Sequence, residues 1–180
     1  MNDWPAEYQA YGVTLKPLSQ AMLETVRHWR NDPVIASLML DKTHITSEMQ
    51  QAWFDKLQGD QSRAYWVVYF KDEPIGVASL VNICLATKVC EPGMYVYPER
   101  YRNNIVPFCI AFALNDFAFN VLGMSYLMGK IYPDNQASLR FHDKCGYQVY
   151  GKGEADLVLV KLEKNAYQIA RDPLAKFIRY

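Results

Sequence analysis

Residues whose side chains could bind a ligand or transfer a proton are concentrated between Asn135 and Tyr147, in the last third of the chain. Asn135, Leu139 and His142 are spaced i, i+4 and i+7, so a helix would carry them on one stripe. An asparagine amide both donates and accepts hydrogen bonds, and an imidazole titrates near neutral pH. The stretch therefore predicts a helix whose stripe faces a ligand cleft. An ordinary helix, capped by asparagine or aspartate and ended by Gly146, is the alternative.

The elements that must position this stretch follow from hydrophobic periodicity. Apolar runs predict strands at residues 12–17, 64–70, 75–84, 93–97, 124–132, 147–150 and 157–162. Helical spacing predicts helices at residues 19–30, 46–57, 106–122, 134–145 and in the tail after 162, with a short apolar turn at 34–40. Helix-separated strands after a meander imply an α/β fold with one mixed sheet.

Length and composition limit the possible functions. The 180 residues suffice for one hydrophobic core but are few for two, so one domain over residues 1–180 is expected. Lys plus Arg and Asp plus Glu both number 19, which leaves no net field to attract nucleic acid or an anionic membrane. There is no leader-like segment and no apolar run of roughly 18 residues, so we expect a cytoplasmic protein. The four cysteines lack metal-ligand spacing, which predicts reduced thiols, mostly in the core, and no metal.

The stretch from Asn135 to Tyr147 resembles the signature N-x-x-A/S-x-x-x-Y-x-K-x-G-F/Y of the GNAT superfamily of acetyl-CoA-dependent acyltransferases. The positions in register are Asn135, Ser138, Lys144, Gly146 and Tyr147. The element order is similar to that of the family over residues 11–163, followed by a helical tail at 164–180. The resemblance implies a GNAT fold with a roughly seven-stranded, mostly antiparallel sheet flanked by helices, and acetyl-CoA as co-substrate.

A second segment, Gly93 to Glu99, is similar to the family's fourth strand and the Pro-Glu after it. Members then carry Q/R-x-x-G-x-G/A, a loop whose N–H groups hold the CoA pyrophosphate at a helix N-terminus. This chain has no glycine there: Asn104 and Val106, or Ile105 and Pro107, take those positions, depending on where the motif is started. Asparagine tolerates a left-handed backbone and proline suits a first helical turn, so the loop can still turn. A basic loop without a ligand is the alternative.

The resemblance also implies which residues contact acetyl-CoA. They are Tyr97, Arg102, Asn103, Asn104, Ile105, Val106, Pro107, Phe108, Asn135, Ser138 and Lys144. Asn135 would hydrogen-bond the amides of the pantetheine arm, and Arg100 and Arg102 would contact phosphate. A backbone N–H near Tyr95 to Tyr97 would bind the thioester oxygen, because family members use the fourth strand where it leaves its neighbour.

His142 occupies the position where many family members place a tyrosine that protonates the CoA sulfur. We predict His142 as the proton donor, because imidazole serves as acid or base near neutral pH. A half-exposed helix histidine without a catalytic role is the alternative. Glu91, just before the fourth strand, and Tyr95, acting through water, are the candidates for the general base. Lys130 stands where sugar-acetylating relatives tend to carry a carboxylate, so that base is predicted to be absent.

GNAT members build the acceptor pocket chiefly from the first helices, which predicts Trp29, Arg30, Met39 and His44 as substrate-binding residues. Trp29-Arg30-Asn31 resembles the W-R-N segment of amino-sugar N-acetyltransferases of the pseudaminic-acid pathway, which act on nucleotide-linked sugars. Arg30 would hold a diphosphate and an aromatic ring would stack on the base. A core position for Trp29 and a surface position for Arg30 are the alternative.

These observations predict an N-acetyltransferase that acts on a small-molecule amine, with a nucleotide-linked amino sugar as the first candidate. Two alternatives stay open. One is a non-catalytic GNAT-fold module with a CoA-binding or regulatory role. The other is a protein N-terminal acetyltransferase, because similar W-R-N segments occur in enzymes that acetylate the N-termini of ribosomal proteins. The balanced charge argues against a polycationic aminoglycoside. We expect a monomer or homodimer without nucleic-acid or membrane partners.

Overall fold

A computed structural model describes residues 4–179 of the chain. Its strands are β1 (Tyr8–Ala10), β2 (Val13–Pro17), β3 (Ala64–Phe70), β4 (Glu73–Cys84), β5 (Val89–Val96), β6 (Tyr126–Ile131), β7 (Gln148–Lys152) and β8 (Val158–Glu163). They form one sheet in the order β1-β2-β3-β4-β5-β6-β8-β7. All neighbouring strands are antiparallel apart from β5 and β6, which run parallel.

Helices cover both faces of this sheet. They are α1 (Leu23–Asn31), α2 (Pro33–Leu38), α3 (Ser47–Leu57), α4 (Val106–Asp116), α5 (Gln136–Lys144) and α6 (Lys164–Ala175). Side-chain caps start three of them: Asp32 accepts from the amides of α2, Thr46 from α3 and Asn135 from α5. A π-helical turn, Phe117–Val121, continues α4.

The two faces of the sheet bury separate hydrophobic cores. Along β3, Trp66 and Val68 belong to the larger core, whereas Val67 between them belongs to the smaller one, as strand alternation requires. Helix α4 lies in the larger core and buries nearly its whole surface there. Helices α1 and α3 cover the other face, where Trp29 and Phe54 are buried. The sheet is therefore a central layer between two layers of helices.

Strands β5 and β6 stay together for only a short distance. Their parallel pairing consists of Val89 opposite Tyr126 and Cys90 opposite Leu127. Beyond Cys90, β5 continues to Val96 paired with β4, and β6 continues to Ile131 paired with β8. The remaining edges of β5 and β6 diverge and leave a cleft in the middle of the sheet, which we call the β5–β6 cleft.

The structure confirms the predicted mixed sheet and corrects several details of the sequence prediction. An eighth strand, β1, precedes the seven predicted ones. The apolar segment at 34–40, predicted as a turn, contains helix α2, because Asp32 caps it and Pro33 suits its first position. The helix predicted at residues 134–145 is α5, Gln136–Lys144, and Asn135 is its cap. Residues 1–3 and 180 of the predicted domain lie outside the described part of the chain.

Two predictions from composition can also be compared with the structure. Cys90, Cys109 and Cys145 are buried and Cys84 is exposed, and all four are free thiols. Burial raises the pKa of Cys90 and of Cys145 to about 12, which keeps both as neutral thiols. Over residues 4–179, no helix is both long enough and apolar enough to cross a bilayer.

Candidate active site

The free edge of β5 lines one side of the β5–β6 cleft. Tyr97 N–H donates to Ile75 O of β4 at 2.8 Å, so by alternation the N–H groups of Tyr95 and Gly93 also point toward β4. The N–H groups of Met94 and Val96 then point the other way, into the cleft. Val96 O confirms this direction, because it accepts from Arg102 Nε at 2.9 Å. The cleft-facing amide between Tyr95 and Tyr97 is thus that of Val96.

Gly76 on β4 fixes the course of β5 at this point. A Cβ atom at Gly76 would lie 2.1 Å from Tyr95 O, which is far inside van der Waals contact with main chain. Only glycine therefore permits this approach of β4 to β5. The residue directly supports the strand segment that presents the Val96 amide.

Helix α5 begins at the β6 side of the cleft. Asn135 Oδ1 accepts from Ser138 N–H at 3.1 Å, which makes Asn135 the N-cap of the helix. The cap uses only the carbonyl end of the side chain, so the Nδ2 protons stay available to a ligand. Lys144, at the other end of α5, is exposed.

His142 is held in one tautomer by the previous turn of α5. Its Nδ1 lies 2.7 Å from Ser138 O, and because a carbonyl only accepts, Nδ1 carries the proton. Ser138 Oγ lies 3.2 Å from the same nitrogen. The neutral ring therefore keeps an unprotonated Nε2. Burial lowers the pKa of His142, against the opposing effect of its bond to Ser138.

The imidazole of His142 rests on a glycine of β6. A Cβ at Gly129 would lie 3.8 Å from His142 Nε2 and only 2.9 Å from a methyl carbon of Val160. The ring also packs edge-on against Tyr147, with the ring centroids 4.9 Å apart. A small residue on β6 thus gives the imidazole its place beside the strand.

The loop that precedes α4 differs from the glycine loop that the sequence motif predicts. Asn104 Oδ1 accepts from Val106 N–H at 2.8 Å, and Asn104 Nδ2 donates to Arg100 O at 3.1 Å. None of the described residues 100–105 adopts a positive φ. Asn104 therefore makes this turn through side-chain hydrogen bonds to the main chain, and not through the left-handed conformation that we expected.

The start of α4 nevertheless retains free amide groups. Pro107 has no N–H, and the N–H of Val106 is bound to Asn104. At this helix start, the N–H groups of Asn103, Asn104, Ile105 and Phe108 have no hydrogen-bond partner within residues 4–179. Unengaged amides at a helix N-terminus can hydrogen-bond an anion, so this loop is a candidate anion site.

The two arginines of this loop are engaged by the protein itself. Arg100 forms an ion pair with Glu73 and lies over the ring of Tyr101. Arg102 binds Val96 O through Nε and Tyr97 O through Nη2. Arg102 therefore fastens the end of β5 to the loop. Both main-chain groups of Tyr97 are also occupied, because its N–H is bound to Ile75.

The second face of the sheet carries polar groups along the same cleft. Glu91 on β5 accepts from Asn82 Nδ2 at 2.7 Å, and its other carboxylate oxygen lies 3.9 Å from Lys130 Nζ on β6. Glu91 and Tyr95 are four residues apart on β5, so both side chains point to the α1 face. A carboxylate and a phenol thus lie on this face, although spaced along the strand.

Arg30 and Tyr95 present buried polar atoms without partners. Within residues 4–179, Arg30 Nη1 and Tyr95 Oη are the buried side-chain nitrogen and oxygen atoms that lack any hydrogen bond. Burial raises the pKa of Tyr95, and the charge of Arg30 partly opposes this rise, so the two side chains lie within electrostatic range of each other. Unsatisfied buried groups of this kind are rare and costly. They make this part of the α1 face a candidate site for a polar ligand group.

The other predicted substrate residues are distributed around this point. Trp29 is buried and stacks on Tyr97, with centroids 5.5 Å apart, so it belongs to the smaller core. Met39 ends α2 and is half-buried, and His44 is exposed in the following loop. Sequence reasoning missed Asn31, which exchanges two hydrogen bonds with Ile45 in that loop. The W-R-N triplet could have indicated Asn31, but the sequence prediction assigned roles only to its first two residues.

Comparisons with known proteins identify the family of the chain. Residues 13–148 match the acetyltransferase (GNAT) domain family. The chain belongs to the GNAT family. It is 27% identical to acetyltransferase PseH of Campylobacter jejuni over 148 residues, which cover 82% of this chain and 90% of the relative.

Solved structures support the GNAT fold of the chain. The spermidine N-acetyltransferase of Vibrio cholerae, solved with CoA and spermine, has a TM-score of 0.80 and 18% identity over 88% of this chain and 99% of that one. Campylobacter jejuni PseH in complex with acetyl coenzyme A has a TM-score of 0.66 and 24% identity, over 84% and 99%. At these identities the likeness concerns the fold.

Family membership defines the general activity. This GNAT protein is an N-acetyltransferase, and acetyl-CoA is its acetyl donor. The alternative of a non-catalytic module is thereby set aside. Residues 4–179 contain no group of three or more side chains arranged to hold a metal ion.

Proposed function

We propose that this GNAT enzyme acetylates the amine of a nucleotide-linked amino sugar. The observation that carries the proposal is the unpartnered pair of Arg30 Nη1 and Tyr95 Oη on the α1 face. A guanidinium binds a phosphate through strong, charge-assisted hydrogen bonds, and a phenol donates to the same group or to a sugar oxygen. The resemblance of Trp29-Arg30-Asn31 to the amino-sugar branch supports the same substrate class, and the similarity to acetyltransferase PseH supports acetyl transfer.

The acetyl-CoA side of the proposal follows the cleft. The four free amides of Asn103, Asn104, Ile105 and Phe108 are proposed to bind the pyrophosphate. Asn135 Nδ2 is proposed to donate to a pantetheine carbonyl. These assignments lead the cofactor from the N-terminus of α4 toward the start of α5.

Other predicted cofactor residues act indirectly in this proposal. Arg102 and Tyr97 hold the end of β5, Val106 and Pro107 shape the turn, and Ser138 orients His142. Lys144 is exposed at the end of α5, where it is available to a phosphate of the cofactor.

The proposed chemistry transfers one proton from the amine to sulfur. The amine nitrogen attacks the thioester carbon, the Val96 N–H stabilises the oxyanion, and the C–S bond then breaks. His142 Nε2, unprotonated in the neutral ring, accepts a proton from the ammonium intermediate and returns it to the departing thiolate. The products are the N-acetylated acceptor and CoA thiol, so the charges and protons balance.

Glu91 and Tyr95 have different proposed parts in this reaction. Glu91 is held by Asn82 and Lys130, and it is the proposed candidate for deprotonating the acceptor's ammonium form through water before the attack. Burial raises the pKa of Tyr95, so its phenol stays protonated and acts as a hydrogen-bond donor to the acceptor. The acceptor is thus proposed to lie between Arg30 and the cleft.

A panel of acceptors tests the proposal. Initial rates with acetyl-CoA are measured for a UDP-linked amino sugar, the same sugar without the nucleotide, spermidine, and a peptide with a free N-terminus. We expect the highest kcat/KM for the UDP-linked sugar. A higher kcat/KM for the free sugar would show that the enzyme does not recognise the nucleotide. A higher kcat/KM for spermidine or the peptide would show that the acceptor is a polyamine or a protein N-terminus and not an amino sugar.

Tyr95→Phe tests the observation that carries the proposal. Loss of the hydroxyl should raise the KM for the UDP-linked sugar on the order of tenfold, because one buried hydrogen bond to a charged group is lost. The stability of the free protein should be unchanged or higher, since an unpaired buried hydroxyl is removed. An unchanged KM would show that this pair does not bind the acceptor.

A further inference from the structure

The loop at residues 39–46, which we call the acceptor loop, has no helix or strand of its own and depends on side chains from other elements. Asn31, the last residue of α1, binds it at one end. Asn31 Oδ1 accepts from Ile45 N–H and Asn31 Nδ2 donates to Ile45 O, both at 2.8 Å. An amide side chain thereby pairs with one residue's main chain in the same way as a neighbouring strand would.

The other end of the acceptor loop is fastened across the sheet. Tyr132, directly after β6, donates from Oη to Leu40 O at 3.2 Å. Arg30 donates from Nη2 to Asp41 O. The loop therefore spans from α1 to the end of β6 and covers the α1 face beside the β5–β6 cleft.

Arg30 connects this loop to the unpartnered polar pair. One nitrogen of its guanidinium holds Asp41 O, and another, Nη1, is the buried atom without a partner near Tyr95. A guanidinium is planar and rigid, so a shift of the loop moves Nη1 as well. The position of the loop thus sets the position of the group proposed to bind the acceptor.

We propose that Asn31 is a positioning residue for the acceptor: it holds the acceptor loop closed and thereby keeps Arg30 in place, without touching the acceptor. This inference rests on the proposed function for the location of the acceptor. It gives the third residue of the W-R-N segment a defined task. Arg27 Nη1, which also donates to Ile45 O at 3.2 Å, is the secondary support of the same end.

The first test needs no acceptor. Lys42 is an exposed trypsin site inside the acceptor loop. In Asn31→Ala, cleavage of the folded protein after Lys42 should accelerate on the order of tenfold, because two hydrogen bonds that close the loop are lost. Asn31→Asp keeps the acceptor atom for Ile45 N–H and should give an intermediate rate.

Gln20→Ala is the matched control. Gln20 and Gln51 exchange two side-chain hydrogen bonds, at 2.6 and 3.0 Å, and so link α3 to the turn before α1 by the same amide chemistry. Within residues 4–179, the recorded side-chain hydrogen bonds of this pair do not involve the acceptor loop. Gln20→Ala should leave Lys42 cleavage at the wild-type rate.

The second test is kinetic and uses the acceptor with the highest kcat/KM in the panel. Asn31→Ala should raise the KM of that acceptor on the order of tenfold, with calorimetric acetyl-CoA affinity unchanged. Equal rates of Lys42 cleavage in Asn31→Ala and wild type would overturn the proposal. A loss of acetyl-CoA affinity as large as the rise in the acceptor KM would also overturn it. If Asn31→Ala does not fold, Asn31→Asp and Tyr132→Phe provide the same readouts from the two ends of the loop.

The two tests separate this inference from the proposed function. If the panel shows a different acceptor class but Lys42 cleavage still accelerates, the loop role stands and the substrate class falls. If the UDP-linked sugar is the substrate but Lys42 cleavage is unchanged in Asn31→Ala, the proposed substrate class stands and the role of Asn31 falls.

Discussion

Helices α4 and α5 both begin at the β5–β6 cleft, yet their N-termini are built differently. At α5, the cap is Asn135, and the groups proposed to act are side chains: its amide and the His142 imidazole. At α4, Asn104 accepts from the N–H of Val106, two residues further on, and the available groups are main-chain amides. The family's glycines are therefore not the only means of presenting amides, because a side-chain hydrogen bond can shape the same turn.

This difference predicts how each helix responds to substitution. Side chains at α5 are expected to take part in ligand contact and proton transfer, so their replacement should change binding or turnover directly. Side chains at α4 shape a loop whose amides bind, so their replacement should act through loop geometry and stability. The predictions below test this contrast, beginning with the largest effect.

His142→Phe should give the largest effect on turnover. Loss of a group that transfers a proton typically costs about 10²- to 10⁴-fold in rate, so kcat should fall within that range. Acetyl-CoA affinity, measured by calorimetry, should stay nearly unchanged because phenylalanine fills the place of the ring. Arg140→Ala, an exposed change on the same helix, is the control. A wild-type kcat in His142→Phe would remove the imidazole from the mechanism.

Asn135→Ala should weaken acetyl-CoA binding on the order of tenfold and destabilise the fold by about 1 kcal/mol. The first effect is the lost amide donor and the second is the lost N-cap of α5. Asn135→Asp separates the two, because a carboxylate keeps the cap but cannot donate from Nδ2. Calorimetry and urea unfolding measure the pair of quantities. Wild-type acetyl-CoA affinity in Asn135→Asp would show that Asn135 only caps α5 and does not bind the cofactor.

Asn104→Ala should have a smaller effect on binding, of a few-fold, with a loss of about 1 kcal/mol of stability because its side-chain hydrogen bonds to Val106 and Arg100 are lost. Asn104→Asp is the sharper variant: it keeps the acceptor for Val106 N–H, loses the donor to Arg100 O and adds a negative charge beside the free amides. Stability should then fall no further than in Asn104→Ala while acetyl-CoA affinity falls more, because the charge repels a pyrophosphate. Unchanged affinity in Asn104→Asp would place the pyrophosphate elsewhere.

The same contrast explains which parts of the molecule the sequence predicts. The order of elements follows from local periodicity, and the α5 segment carries its cap, stripe and terminal Gly146 within a dozen residues. Three-residue β1 carries no such pattern, because it exists through pairing with β2. Local information is therefore sufficient for α5 and insufficient for a short edge strand.

Site geometry is harder to predict when it depends on distant partners. Nothing around Arg102 indicates that its guanidinium turns back to Val96 and Tyr97, and the motif suggested a phosphate contact instead. The pairing of Asn31 with Ile45 bridges fourteen residues and two elements. Such contacts follow from how the elements pack, so local spacing cannot reveal them.

The smallest expected effect concerns the pH dependence of stability at α5. The pKa of His142 is lowered in the folded protein from its usual value of about 6.5, chiefly by burial. Above about pH 6.5 both states are neutral and the full stability is present. Below it, the unfolded chain takes up the proton first, so stability falls with pH until the folded pKa is passed, by at most about 1.4 kcal/mol per unit.

His142→Phe should remove this part of the pH dependence, measured by urea unfolding at about pH 7 and about pH 5.5. His44→Phe is the control, since His44 is exposed and has no equivalent burial. An equal loss of stability in wild type and His142→Phe would mean that the folded protein accommodates the imidazolium. In that case Ser138 O, which accepts from Nδ1 in either charge state, would be stabilising a protonated ring with Nε2–H as a ready donor. The α5 stripe would then deliver an acid to the sulfur, whereas a neutral ring must first act as a base.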